Sequence, residues 1–333
     1  MARPFDLDEI LPDVIVDPVR LPRRQAGGSP QGLAVTLLAD YTLRTRAWLP
    51  SAAIVALLTE SGVTGGAART AISRLARRGV IGSSRRGRST FYRLTEPAAV
   101  ALAVGGRSVV RFAAQAESWD GTWTLIAFSV PTEGDAERRA LRAQLRWLGY
   151  APLYDGLWVS PHGQPERAAA ALTGISRGAM TVFRARGVPL AGVADRDPLD
   201  AWDVAAIGEH YRSFVDQWTP LLPRIGSGAV SGTEALRART EVMETYRRFV
   251  ALDPRLPMRL MPAGWLREHA REVFATVYDG LAGPALRHVL ATVARFTAEP
   301  APDISPHTVA DLFAGVSPGA CPADAPAPAG QPR

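Results

Sequence analysis

The sequence predicts a multidomain α+β chain, and three observations predict it. A stretch of helical period closes on a short arginine-tipped hairpin pattern; a middle stretch alternates as strands do; from Trp202 onward the helical period returns. At 333 residues the chain exceeds one ordinary domain. With 47% of residues hydrophobic and 21% charged, it can bury several cores and is not disordered as a whole.

In chain order, residues 1–30 carry Pro4, Pro12, Pro18, Pro22 and Pro30 amid mixed charge, which opposes helix and central strand alike. A flexible arm is expected there, with room for a short docking segment at Ile10 to Val16. Leu33, Leu37, Leu38 and Tyr41 mark an amphipathic helix from Leu33. Ser51 is the expected N-cap of a second helix, Ala52 to Glu60, with Ile54, Leu57 and Leu58 inward. Ser61 to Thr64 is the turn before a third, where Ala68, Ile72 and Leu75 face a core and Arg69, Thr70, Ser73, Arg74 and Arg77 fall on the opposite arc. Gly79 stops that helix. Val80 to Ser84, the tip Arg85-Arg86-Gly87-Arg88, and Ser89 to Leu94 then read as strand, basic turn, strand.

Charge singles out the same stretch. Thr64 to Leu94 holds eight arginines, and no carboxylate lies between Glu60 and Glu96. The whole chain has 38 basic residues, all arginine, against 32 acidic; without these eight the balance is 30 against 32. The net positive charge lives here. A basic helix followed by a basic hairpin is the recognition helix and wing of a winged helix-turn-helix, expected over residues 31–97, with double-stranded DNA as its partner. Arg69, Thr70, Ser73, Arg74 and Arg77 are the expected contacts from the helix, and Arg85, Arg86, Arg88 and Ser89 those from the wing.

A linking helix is expected in 98–118. Next, Trp123, Leu125 and Ala127 alternate with Thr124, Ile126 and Phe128 as a strand; Arg138 to Leu148 is helical; Tyr150 to Leu153 and Leu157 to Ser160 flank an Asp155-Gly156 turn; Glu166 to Leu172 is a second helix and Ala179 to Arg184 a last strand. The order βαββαβ predicts a ferredoxin-like domain over 119–197, serving dimerisation or coupling. In 198–315, Val204, Ile207, Tyr211, Phe214, Trp218 and Leu221 form one apolar stripe, Leu236, Met243 and Val250 another, and Trp265 to Leu281 and Pro284 to Phe296 two further helices. The tail, 316–333, is Ala, Pro and Gly and is expected to be disordered.

These parts in this order resemble the PaaX family of bacterial transcriptional repressors, over about Gln31 to Phe296. The residues that carry the likeness are Arg69 to Leu75 before Gly79; Trp119-Asp120-Gly121-Thr122-Trp123; Leu145 to Tyr150 with Gly156 to Pro161; and Asp253 to Pro257 with Leu260 to Trp265. The resemblance implies a homodimeric regulator, usually a repressor of aromatic-acid (phenylacetate) catabolism genes; a cytoplasmic location is expected separately, from a sequence without an apolar membrane span or secretory h-region, and no cofactor is expected. The resemblance further implies release from the operator by an acyl-CoA effector such as phenylacetyl-CoA.

An enzyme is the rival class. The ferredoxin-like stretch also resembles a CRISPR-associated metal-dependent endoribonuclease, whose first strand ends in a metal-binding aspartate. Here that strand ends Phe128-Ser129-Val130-Pro131, and Asp120, ahead of it, reads as a turn residue. Gly315-Val316-Ser317-Pro318-Gly319 matches a nucleophile-elbow pattern, but a helix is expected before it instead of a strand. The five histidines form no metal-binding spacing, His210 beside Tyr211 reads as a core histidine, and the one cysteine, Cys321, rules out an internal disulfide. Gly226 to Gly232 lacks the strand a dinucleotide site needs. The aromatics Trp202, Tyr211, Phe214, Trp218, Trp265, Phe274 and Tyr278 read as core, leaving an effector pocket unplaced. No catalytic or metal-binding residue is expected, and no membrane span.

Overall fold

The computed structural model describes residues 29–114, 119–129, 135–162, 168, 179–188, 196–298 and 302–318. Helix and sheet mix in a multidomain α+β chain that divides into two compact units. One comprises Met1–Phe112, Asp216–Phe249 and Arg271–Arg333; the other Ala113–Val215 and Val250–Ala270. The expected arm with its segment at Ile10 to Val16, nearly all of the helix at Glu166 to Leu172, Cys321 and the far tail lie outside the described residues.

Helix α1 (Pro30–Thr42) begins three residues before the apolar period does. Ser29 caps it, its hydroxyl accepting from the Gly32 amide at 3.0 Å, and Pro30 occupies the first turn, where a missing N–H costs nothing. Strand β1 (Leu49–Pro50) leads into α2 (Ser51–Glu60). Here the expected cap is corrected: Pro50 holds the N-cap position without a side-chain hydrogen bond, and Ser51 is already helical. Pairing of Leu49 with Tyr92 and Pro50 with Phe91 keeps the chain extended through Pro50, so the helix starts as soon as the ladder releases it. Helix α3 (Gly65–Arg77) follows, then β2 (Ile81–Arg86), β3 (Ser89–Leu94) and α4 (Glu96–Arg111). The three strands form an antiparallel sheet in the order β1-β3-β2.

The second unit holds β4 (Trp123–Ser129), α5 (Asp135–Trp147), β5 (Ala151–Tyr154), β6 (Leu157–Ser160) and β7 (Ala179–Ala185). They make one antiparallel sheet, β5-β6-β4-β7. Strand alternation sends Ile126 and Trp158 to one face, against Leu141 and Leu145 of α5, and Trp123, Leu153 and Val159 to the other, against Trp202 and Leu260. The Trp119 to Trp123 motif is a turn. The Thr122 amide donates to Asp120 Oδ1 at 2.9 Å, the Trp119 indole to the Thr122 carbonyl at 2.8 Å, and Gly121 has φ +83°. A Cβ there would stand 2.8 Å from Arg259 Nη2, a second reason for glycine.

Helix α6 (Val204–Trp218) buries Ile207, Tyr211, Phe214 and Trp218, the stripe the period predicts. His210 is exposed, which corrects its reading as a core residue: one residue from Tyr211 is about 100° around the helix, off the stripe. Helices α7 (Leu222–Gly226), α8 (Gly232–Tyr246), α9 (Phe249–Leu252), α10 (Arg267–Gly280), α11 (Ala282–Ala294) and α12 (Val309–Ala314) complete the described elements. Among them α8 packs on α1 and α11, and α12 on α4, all within the first unit.

Candidate nucleic-acid interface

Helix α3 is positioned by its buried residues. Ala68, Ala71, Ile72 and Leu75 pack inward against α1 and α2, leaving Arg69, Thr70, Ser73, Arg74, Arg77 and Arg78 exposed. All five residues expected from the helix therefore stand outward on it. Its N-terminus is capped by Thr64, whose hydroxyl accepts from the Ala67 amide at 3.2 Å. The Thr70 hydroxyl donates to the Gly66 carbonyl at 3.0 Å, so in this rotamer it faces a partner only as an acceptor. At the other end Gly79 takes φ +71°, and the chain turns directly into β2.

Strands β2 and β3 pair from Ile81 with Leu94 to Arg86 with Ser89. Gly87 and Arg88 make the two-residue connection, with Gly87 at φ +59°, as a tight hairpin with glycine first requires. Arg85, Arg86, Arg88 and Ser89 are all exposed at this tip. Two of the hairpin arginines lie over rings: Arg93 is 4.4 Å from the Trp48 ring centre, and Arg86 is 4.8 Å from Phe91 and 5.8 Å from Trp48. In the sequence Trp48 reads only as part of Trp48-Leu49-Pro50-Ser51, the end of one element and the start of the next, because its place under the hairpin arginines depends on the β1–β3 pairing, which joins residues more than forty positions apart. The only local signal is an aromatic residue directly before a two-residue apolar strand.

No carboxylate of the segment itself offsets these arginines, since none occurs from Ser61 to Thr95. In low-dielectric surroundings such a surface would be self-repelling; in water it is an exposed cationic face with guanidinium forks.

Residues considered for other chemistry fall elsewhere. Asp120 sits in its turn and pairs with Arg184 at 2.8 Å, and the Thr122 amide bond holds its carboxyl below the usual range. Helix α12 precedes Gly315, and Ser317 is in irregular chain, so the strand-to-helix geometry of a nucleophile elbow is missing there. Among the described residues no group of three or more His, Cys, Asp or Glu is placed to hold a metal ion, and no helix is long and apolar enough to cross a membrane. Of the seven aromatics considered for a pocket, Tyr211 and Trp265 meet edge to face at 5.7 Å in the second unit, whereas Phe274 and Tyr278 stack at 5.4 Å in the first.

Three family models match the chain in succession: PaaX-like protein at residues 29–98, PaaX protein central Cas2-like domain at 116–196, and PaaX-like protein C-terminal domain at 202–291. The chain is similar to the transcriptional repressor PaaX of Escherichia coli (strain K12), with 29% identity over 249 residues, covering 73% of this chain and 76% of that protein. Among solved structures, an uncharacterized protein, Rv0674, from Mycobacterium tuberculosis superposes with a TM-score of 0.49 at 21% identity, covering 78% of this chain and 96% of that one.

Proposed function

The chain belongs to the PaaX family, and from that premise we propose that it is a DNA-binding transcriptional repressor, not an enzyme, which reads duplex DNA with α3 and the β2–β3 hairpin. The single observation that carries the assignment is the placement of the basic residues. Five residues of α3 and four of the hairpin tip, chosen from sequence, stand exposed on two elements that follow one another directly. Helix order, sheet order and the short connection at Gly79 support a winged helix-turn-helix. The exposed helix face would enter the major groove and the hairpin would follow the backbone or minor groove.

The strand order β5-β6-β4-β7 with α5 on one face supports a ferredoxin-like reading of the central region. We read it as a dimerisation or coupling module in a cytoplasmic homodimer bound to an inverted-repeat operator in front of a catabolic operon. An aryl-acetyl-CoA or related acyl-CoA would serve as effector. For such a ligand to release the operator it must bind the DNA-free arrangement better than the bound one, because equal affinity shifts nothing.

The test is a genomic footprint of the purified chain at low salt, with sedimentation and an acyl-CoA titration. Sequence-specific protection of two half-sites that weakens steeply with salt is expected. An empty footprint, or cleavage of nucleic acid, would overturn the repressor reading. A monomer on one half-site, indifferent to every thioester, would remove the dimeric switch alone.

A further inference from the structure

Two carboxylates border the acid-free basic segment, Glu60 at the end of α2 and Glu96 at the start of α4, and each meets a basic side chain from outside the segment. Arg46 donates Nη1 to Glu96 at 3.4 Å and Nε to the Leu94 carbonyl at 3.2 Å. An arginine keeps its charge at every working pH. Glu60 has a histidine instead: on α11, where that helix packs against α2, His288 Nε2 lies 2.5 Å from Glu60 Oε2. The two side chains are only 20% and 23% exposed, so salt and water screen this contact less than one on the open surface.

Glu60 stands close to the reading elements. Only Ser61 to Thr64 part it from α3, and the Val63 amide donates back to the Leu58 carbonyl at 3.1 Å, which folds the turn onto the last residues of α2. Its carboxylate therefore lies on the order of one screening length, about 10 Å, from the N-terminal end of α3. A negative charge there works against the phosphates that Arg69 and its neighbours would approach. A protonated imidazole cancels that charge; a neutral one does not.

The charged groups around His288 come from three helices. From α2 there is Glu60, the one charged residue of that helix; from α8, Glu234, which Arg224 holds at 2.7 Å, and the exposed Arg237; from α11 itself, the exposed Arg287. The Thr233 hydroxyl of α8 lies 3.5 Å from the same imidazole nitrogen. His307, the other histidine of this unit, is buried and held down to about 3. Asp40, which burial raises to about 6, takes its hydrogen bond from Tyr278.

We propose that His288 governs DNA binding through Glu60: in its protonated form it cancels the carboxylate that borders the basic face, and duplex affinity falls as the imidazole loses its proton. The inference rests on the DNA-binding reading above and adds proton control to that same site.

The test uses the full chain and a labelled duplex carrying its footprint, with anisotropy read at about pH 5.5 and about pH 8, the span over which histidine ordinarily changes charge. At the higher pH, Glu60→Gln is expected to bind roughly 2- to 10-fold more tightly than wild type, the effect of a unit charge felt over about 10 Å at a protein surface. At the lower pH it should match wild type. His288→Gln keeps an amide donor for Glu60 but cannot be charged, so it should lose the same factor at the lower pH and match wild type at the higher. Added to Glu60→Gln, it should change nothing. Each variant is compared with wild type at one pH, so a contribution from Asp40 cancels. The differences should shrink in high salt, whereas a role confined to packing would be indifferent to salt and to pH. Circular dichroism checks folding, and if His288→Gln does not fold, the Glu60→Gln comparison decides. A Glu60→Gln variant no tighter than wild type at the higher pH, or a folded His288→Gln variant equal to wild type at the lower, would overturn the inference. Absence of duplex binding at either pH would instead bring down the DNA-binding reading on which it stands.

Discussion

Arg93 rests 4.4 Å from the centre of the Trp48 ring, a contact between the last strand of the basic hairpin and the residue that precedes β1. A guanidinium over an indole keeps its charge and its fork of donors while losing rotamer freedom. Arg86 shares the same ring at greater distance, so Trp48 is a common platform for the hairpin. Trp48→Ala is expected to weaken duplex binding about 2- to 10-fold, from roughly 0.5–1 kcal/mol per exposed cation–π contact. Base preference should not change, and selection from a randomised duplex pool would check both.

Helix and hairpin are expected to separate by task. Arg69→Ala or Arg74→Ala should cost about 1–3 kcal/mol at the preferred site and relax preference at a few base pairs. Arg86→Ala or Arg88→Ala should weaken all sequences evenly and reduce the salt slope by about 1. Hairpin variants that alone alter base preference would reverse the two roles.

The buried pair of Arg267 and Asp253, within the second unit, offers a stability test. Arg267 Nε and Nη2 donate to Asp253 at 2.7 and 3.0 Å, and the Tyr211 hydroxyl donates to the same carboxylate at 2.6 Å. Asp253→Ala would strand a buried guanidinium and should lower unfolding free energy by about 3–5 kcal/mol. Replacing both partners by apolar residues of similar volume should cost far less. Urea unfolding of the single and double variants distinguishes the two outcomes.

Acid should act on this chain through two groups of opposite sign. His307 has a folded-state pKa near 3, below its ordinary value of 6.5, so the stability it contributes is complete above 6.5 and is lost as pH falls toward 3. Asp40 is raised from 3.8 to about 6, so its contribution is complete below 3.8 and lost as pH rises through 6. His307→Asn is therefore expected to flatten the decline in urea midpoint between pH 6.5 and 4. A decline as steep as in wild type would show that His307 is not the acid-sensitive group.

Much of this was legible in sequence because it is local. The apolar period at Ala68, Ile72 and Leu75 requires Arg69, Ser73 and Arg77 to be outside, and the Gly87 connection requires a hairpin, whatever surrounds them. Pair relations across the chain were not legible. Ser51 looks like a cap until β3 is known to hold Pro50 extended, and Asp40 looks like a polar residue at a helix end until Tyr278, 238 positions later, is known to reach it. His210 shows the finer limit, since adjacency to a buried Tyr211 says nothing about a neighbour 100° away on the helix.

The first unit is assembled from stretches on both sides of the second, with α1 held by α8 and α10, and α4 contacted by α12. During synthesis, α1 to α4 therefore leave the ribosome before Arg239, Tyr278 and Leu312 exist to bury their exposed sides, and this unit cannot close until translation has passed residue 312. A message cut short after the basic hairpin would yield an unfinished and protease-sensitive fragment, not an unregulated repressor that occupies the operator without its control region.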